Sequence, residues 1–135
     1  MSFINEFNLL LKARYSLIFI PTVEEDRLEY TVRRCVKLGK NRAIYSWNFV
    51  DGFLNTPNNN GVGKRNPLQA LEFIEKLAED TPVLFLLKDF HKFFNDIAVI
   101  RKLRNLSRIL QTQPKTIVIV APENVPIPLE IRELV

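Results

Sequence analysis

Apolar residues gather into four short runs, separated by stretches in which they return every three or four positions. The runs are Tyr15–Ile20, Ala43–Trp47, Val83–Leu87 and Thr116–Val120. Runs apolar on both alternating faces predict strands covered on both sides, as in a parallel sheet. Between them, Leu28, Val32, Cys35 and Val36 keep helical spacing, as do Leu71, Ile74, Leu77 and Ala78. A longer helix is predicted from about Asp96 to Gln111, with Ile97, Ile100, Leu103, Leu106 and Leu110 inward. A further helical stripe, Phe3, Ile4, Phe7, Leu10 and Leu11, precedes the first run behind a capping Ser2.

Punctuation agrees with this division. Thr22 and Glu25 read as a capping box, with Glu24 to Asp26 complementing the helix dipole and Gly39 ending the helix. Asn66 reads as an N-cap, with Pro67 at the first helical position and Gln69 at the third. Between Asn48 and Asn66, Pro57, Asn58-Asn59-Asn60, Gly61 and Gly63 predict a long polar loop, functional or mobile. Pro114 closes the long helix, and the tail with Pro122, Pro126 and Pro128 has no periodicity. Strand–helix alternation repeated three times predicts one three-layer α/β domain over residues 1–135, with right-handed crossovers and helices on both faces.

Composition narrows the class only a little. The 135 residues are 47% hydrophobic and 25% charged, too apolar for a disordered chain. One cysteine, Cys35, is expected in the core and fits a reducing compartment. Lys12 and Arg14 break the apolar N-terminal stretch, so neither a membrane span nor a signal peptide is predicted. A net charge of +4 favours an acidic partner without identifying one.

Ligands of open α/β sheets bind beyond the carboxyl ends of the strands. After the first strand, a phosphate-binding loop would need glycines and a lysine. The chain has Pro21-Thr22-Val23-Glu24-Glu25-Asp26 instead, with three carboxylates where phosphate needs donors. Gly61-Val62-Gly63-Lys64-Arg65 resembles half of such a loop, but Asn58 stands where the first glycine belongs and Arg65 where Ser or Thr belongs. Val83–Leu87 followed by Lys88-Asp89 resembles a Walker B segment, in which acids at a strand end hold Mg²⁺ and orient water. In one register Leu87 and Lys88 replace both acids; in the other Asp89 survives and Phe90 replaces the glutamate. A nucleotide held at a remodelled site would use Asp89, Lys64 or Arg65. His91, the only histidine, supports neither a triad nor a metal site. Arg101, Arg104 and Arg108, at i, i+3 and i+7 with Lys102 beside them, form a positive stripe suited to an acidic protein surface or to nucleic acid phosphates. No RNP motif, helix-turn-helix pattern or zinc finger accompanies it, which makes nucleic acid the weaker partner.

The segment Lys12–Arg27, with Ile18-Phe19-Ile20-Pro21-Thr22-Val23-Glu24-Glu25-Asp26, resembles the N-terminal region of the conserved AAA-ATPases of cyanobacteria and algal plastids, known as a hypothetical chloroplast reading frame. Thr116–Pro122 and Ile127-Pro128-Leu129-Glu130 resemble that family's sensor strand and following turn. The resemblance implies a degenerate AAA-like domain ahead of a second AAA domain that carries the complete Walker A, ATP and Mg²⁺. No catalytic residue carries over to this chain, so it is expected to be non-catalytic and to hold no cofactor of its own. Its implied partners are its downstream ATPase domain or neighbouring subunits. Its implied setting is the cytoplasm of a cyanobacterium or the plastid stroma, with a part in regulating photosynthesis and carbon dioxide use. AAA cores order their strands 5-1-4-3-2. Four are present here, giving 1-4-3-2, with the fifth missing or beyond Val135, as in a fragment of a longer ATPase. The first strand is then expected to pair across molecules or to lie under the N-terminal helix.

Overall fold

The computed structural model describes residues 15–22, 24–38, 42–54, 56 and 61–122. The expected helix over Phe3–Leu11, the helix stop at Gly39, the Asn58–Asn60 segment, the tail beyond Pro122 and the Cys35 side chain lie outside the described residues.

Among the described residues, five strands and three α-helices follow in the order β1 (Leu17–Pro21), α1 (Glu25–Leu38), β2 (Ala43–Asn48), β3 (Gly52–Leu54), α2 (Pro67–Lys76), β4 (Val83–Lys88), α3 (Ile97–Leu110) and β5 (Lys115–Ala121). A 3-10 turn, Phe90–Phe93, links β4 to α3. The sheet order is β1-β5-β4-β2-β3. The four expected strands therefore stand in the expected order, all parallel. The fifth strand is a correction to the expected set. It is β3, antiparallel to β2 at the far edge and drawn from the stretch expected to be a polar loop. Phe53 drives it: its side chain is fully buried against Phe73 and Phe85, with ring centroids 5.0 and 6.0 Å away. Trp47 pairs opposite it on β2.

The continuous apolar runs divide between the two faces with period two. In β4, Leu84 and Leu86 join Leu28, Val32 and Val36 of α1. Val83, Phe85 and Leu87 join Leu71 and Ile74 of α2 and Val99, Leu103 and Leu106 of α3 on the other face. Every side chain of Val83–Leu87 is fully buried, the condition for a strand without polar alternation.

Helix ends follow local chemistry. Asn66 Oδ1 accepts the Gln69 N–H at 3.0 Å, with Pro67 inside the first turn. Asp96 Oδ1 accepts the Ala98 and Val99 N–H groups at 2.9 and 3.3 Å and caps α3. Three expectations shift. Thr22 Oγ1 accepts the Glu24 N–H at 3.1 Å, so it forms a local turn rather than a capping box, and α1 begins at Glu25. Ala78 is exposed and Leu77 half-buried because α2 ends at Lys76, where the buried Lys115 donates from Nζ to the Leu77 carbonyl at 2.8 Å. Ile97, the first residue of α3, is 86% exposed rather than inward.

Among the described residues, β1 pairs with β5 alone. Ile117 donates to the Ser16 carbonyl at 2.8 Å, and Thr22 donates to the Ala121 carbonyl at 2.7 Å. Residues 16, 18, 20 and 22 thus turn their main chain toward β5, while Leu17, Phe19 and Pro21 turn theirs outward. Pro21 has no N–H, and it stands in the row where none is used.

Candidate functional site

The carboxyl ends of β1, β4 and β5 bring together Pro21-Thr22, Lys88-Asp89 and Ala121-Pro122, with the acidic start of α1 beside them. Lys88, at the end of β4, is not free to meet a phosphate. Its Nζ lies 2.5 Å from Glu29 Oε1, and Arg33 holds the other oxygen of that carboxylate at 2.8 Å. Burial raises the Glu29 pKa, but the hydrogen bonds and charges of Lys88 and Arg33 outweigh it, and the group ends below the ordinary glutamate value. Glu25 moves the other way. Burial raises it first, then the Asp89 carboxylate, with Lys88 opposing. This end of the sheet is therefore acidic, and its nearest lysine is paired.

Asp89 itself adopts a left-handed conformation, φ 60°, and its side chain caps nothing. Its carbonyl accepts the Lys92 N–H at 3.1 Å and so starts the 3-10 turn. Among the described residues, no group of three or more His, Cys, Asp or Glu side chains is arranged to hold a metal ion. His91 sits in the 3-10 turn with its pKa lowered, by burial first and then by Lys92.

The glycine loop before α2 spends its donors on the protein. Gly61 N–H bonds the Phe53 carbonyl at 2.9 Å, Lys64 N–H the Gly61 carbonyl at 3.1 Å, and Arg65 N–H the Phe49 carbonyl at 2.7 Å. Gly63 N–H bonds Gln69 Oε1 at 3.1 Å, and the Gly63 carbonyl accepts from Trp47 Nε1 at 3.0 Å. A phosphate cradle needs such N–H groups pointing at open space. Here they fasten the loop to β3, α2 and the turn after β2. Lys64 and Arg65 are exposed, and neither forms an ion pair or hydrogen bond with Asp89. Asp89 is thus joined to neither basic residue by an ion pair or hydrogen bond among the described residues.

The arginine stripe does form a surface. Ile100, Leu103, Leu106 and Leu110 of α3 face the core. Lys102, on one flank, pairs with Glu75 of α2 at 2.6 Å. Arg101, Arg104 and Arg108 occupy the opposite flank, where Arg104 is half-buried and none has a carboxylate partner among the described residues. At its N-terminal end a groove of about 340 Å³ is lined by Phe94, Asn95, Ile97, Ile100, Arg101 and Arg104. Phe94 reaches β1, its ring 6.1 Å from that of Phe19.

The Lys88–Glu29–Arg33 cluster escaped the sequence reading because it joins two elements distant in the chain. An aromatic cluster escaped it too. Trp47 meets Phe90 and Phe93 edge-on at 5.5 and 6.3 Å, and Phe49 stacks on Phe93 at 5.3 Å. The phenylalanines at 90, 93 and 94 were the available signal.

Comparison with known proteins agrees with this fold. A family profile described as SpoVK-like AAA ATPase, N-terminal domain, matches residues 3–135. The chain is 58% identical over 135 residues to a protein of Trieres chinensis named "Uncharacterized AAA domain-containing protein ycf46", covering all of this chain and 27% of that one. A protein of the same name from Guillardia theta is 56% identical over 133 residues, 98% of this chain and 26% of its own length. The chain thus spans about a quarter of these relatives. Among solved structures, a chain of "Structure of Drosophila ORC bound to DNA" matches with a TM-score of 0.51 at 12% identity, over 93% of this chain and 77% of that one. At that identity the likeness concerns the fold alone.

Proposed function

The chain belongs to the SpoVK-like AAA ATPase N-terminal domain family, and we propose that it acts as a non-catalytic regulatory or interaction domain of a longer AAA-type ATPase. One observation carries this reading. The Gly61–Arg65 turn, which resembles half of a phosphate loop, has its N–H groups at Gly61, Gly63, Lys64 and Arg65 bonded to the protein itself. The turn after β1, where such a loop belongs, carries Glu24, Glu25 and Asp26 instead. In this reading the phosphate loop is degenerate, and ATP and Mg²⁺ belong to the remainder of the parent protein. The domain positions that ATPase or recruits its partner, in the plastid stroma or a cyanobacterial cytoplasm. A role in regulating photosynthesis and carbon dioxide use is part of the same proposal.

Calorimetric titration of the chain with Mg-ATP and with Mg-ADP tests it. The expected result is no saturable heat. Saturable binding at micromolar concentration would overturn the non-catalytic reading, and loss of that binding in an Asp89→Ala or Lys64→Ala/Arg65→Ala variant would locate the remodelled site.

A further inference from the structure

We propose that the groove at the start of α3 docks an acidic protein segment carrying an apolar residue. Arg101, Arg104 and Arg108 receive its carboxylates, and Phe94, Ile97 and Ile100 receive the apolar side chain. This rests on reading the chain as an interaction domain, and it gives that reading a place and a chemistry.

The half-buried Arg104, unpaired among the described residues, is the first argument. Lys88 and Lys102, with side chains 18% and 24% exposed, each have a carboxylate partner inside the domain. Arg104 is half-buried, yet neither it nor its two neighbours on the stripe has one among the described residues. A partly desolvated cation without a counter-charge is unfavourable, and an incoming carboxylate relieves it.

Ile97 is the second argument. It is 86% exposed at the head of the stripe, and it lines the groove with Phe94 and Ile100. Phosphates of a nucleic acid would use the arginines but leave this apolar wall without a partner. A protein segment satisfies both.

Spacing is the third. Along the helix axis Arg104 and Arg108 are about 6 Å apart, and Arg101 is about 4.5 Å before Arg104. Alternate residues of an extended chain are about 6.6 Å apart, so two carboxylates at alternate positions match the Arg104–Arg108 interval. The domain is about a quarter of its relatives' length, and the docking segment is assigned to the remainder of the parent protein, in the same or a neighbouring subunit.

The test uses a fluorescein-labelled peptide, Leu-Ser-Glu-Ser-Glu-Ser-Glu, and the 135-residue chain, followed by anisotropy at low salt. Saturable binding is expected, weakened roughly tenfold or more by Arg101→Glu/Arg104→Glu and by salt. Ile97→Ser, at an exposed position that leaves folding intact, should weaken it with the charges unchanged. Arg34→Glu, exposed on α1 across the sheet, should not. Absence of saturable binding up to about 1 mM would overturn the proposal. So would an equal loss in Arg34→Glu, no loss in Ile97→Ser, or tighter binding of a DNA duplex through the same arginines. Peptide failure without nucleotide binding sinks the groove and spares the non-catalytic reading; peptide binding alongside Mg-ATP binding does the reverse.

Discussion

Lys88 Nζ and Glu29 Oε1 lie 2.5 Å apart, tying the carboxyl end of β4 to the second turn of α1. Their side chains are 18% and 19% exposed, so solvent screens the pair little. Lys88→Met leaves Glu29 with Arg33 alone and is expected to cost about 1–2 kcal/mol at neutral pH, read by denaturant unfolding. The pH dependence has a definite sign. Glu29 has a folded pKa below its usual 4.5, so its contribution is complete above that value and lost as pH falls through the folded pKa. The gap between wild type and Lys88→Met should close on acidification. A gap constant from neutral to acid pH would show that the pair is not what Lys88 contributes.

Glu25 titrates in the opposite sense. Its folded pKa lies above 4.5, so the folded state holds the proton longer and wild type loses stability as pH rises through that interval. Glu25→Gln is neutral at every pH in this range and should gain on wild type as pH rises above 4.5. Parallel stability curves for the two proteins across that range would contradict the upward shift that burial, and then Asp89, give Glu25.

Gly63 lies at φ +78°, and a Cβ added there would stand 2.9 Å from the Ala70 Cβ and 3.0 Å from Trp47 Nε1. Gly61 lies at φ +91° with nothing nearer than 3.9 Å. Gly61→Ala therefore meets backbone strain alone, about 1 kcal/mol, whereas Gly63→Ala adds a clash and should cost about 2–4 kcal/mol. Thermal melts give the comparison. Trp47 emission, from the only tryptophan in the chain, should shift in Gly63→Ala and not in Gly61→Ala.

Phe53→Ala tests the strand that replaces the expected loop. A ring packed between Phe73 and Phe85 and removed from water predicts a loss of about 3–5 kcal/mol. A loop residue would lose almost nothing.

Two substitutions at the head of α3 should separate capping from packing. Asp96→Ala removes acceptors from Ala98 and Val99 and should cost about 1 kcal/mol. Ile97→Ser should change stability by less than about 0.5 kcal/mol. A loss at Ile97 comparable to that of a core isoleucine would return it to the inward face that its periodicity assigned.

The parallel strands were legible because burial on both faces demands uninterrupted apolar runs, and Val83–Leu87 is such a run. The Asn66 and Asp96 caps were legible because capping is local chemistry. Strand β3 was not, because Gly52–Leu54 is too short to show a period and lies among polar residues. Its partner Trp47 and its packing partner Phe85 come from other elements. Periodicity placed Ile97 inward because a helical pattern takes no account of where the helix begins to pack. The arginine stripe could be read from i, i+3, i+7 spacing, but its groove could not. Phe94 and Asn95 enter it from the turn before the helix.

Pro21 limits what the outer edge of β1 can become. Strands add to an edge by exchanging hydrogen bonds residue after residue, and that repetition lets identical chains template one another into cross-β fibres. On this edge Leu17 and Phe19 offer both groups, and Pro21 offers a carbonyl without a donor. A strand added along this edge would find no donor at Pro21, so among the described residues the ladder is interrupted at the end of the apolar strand.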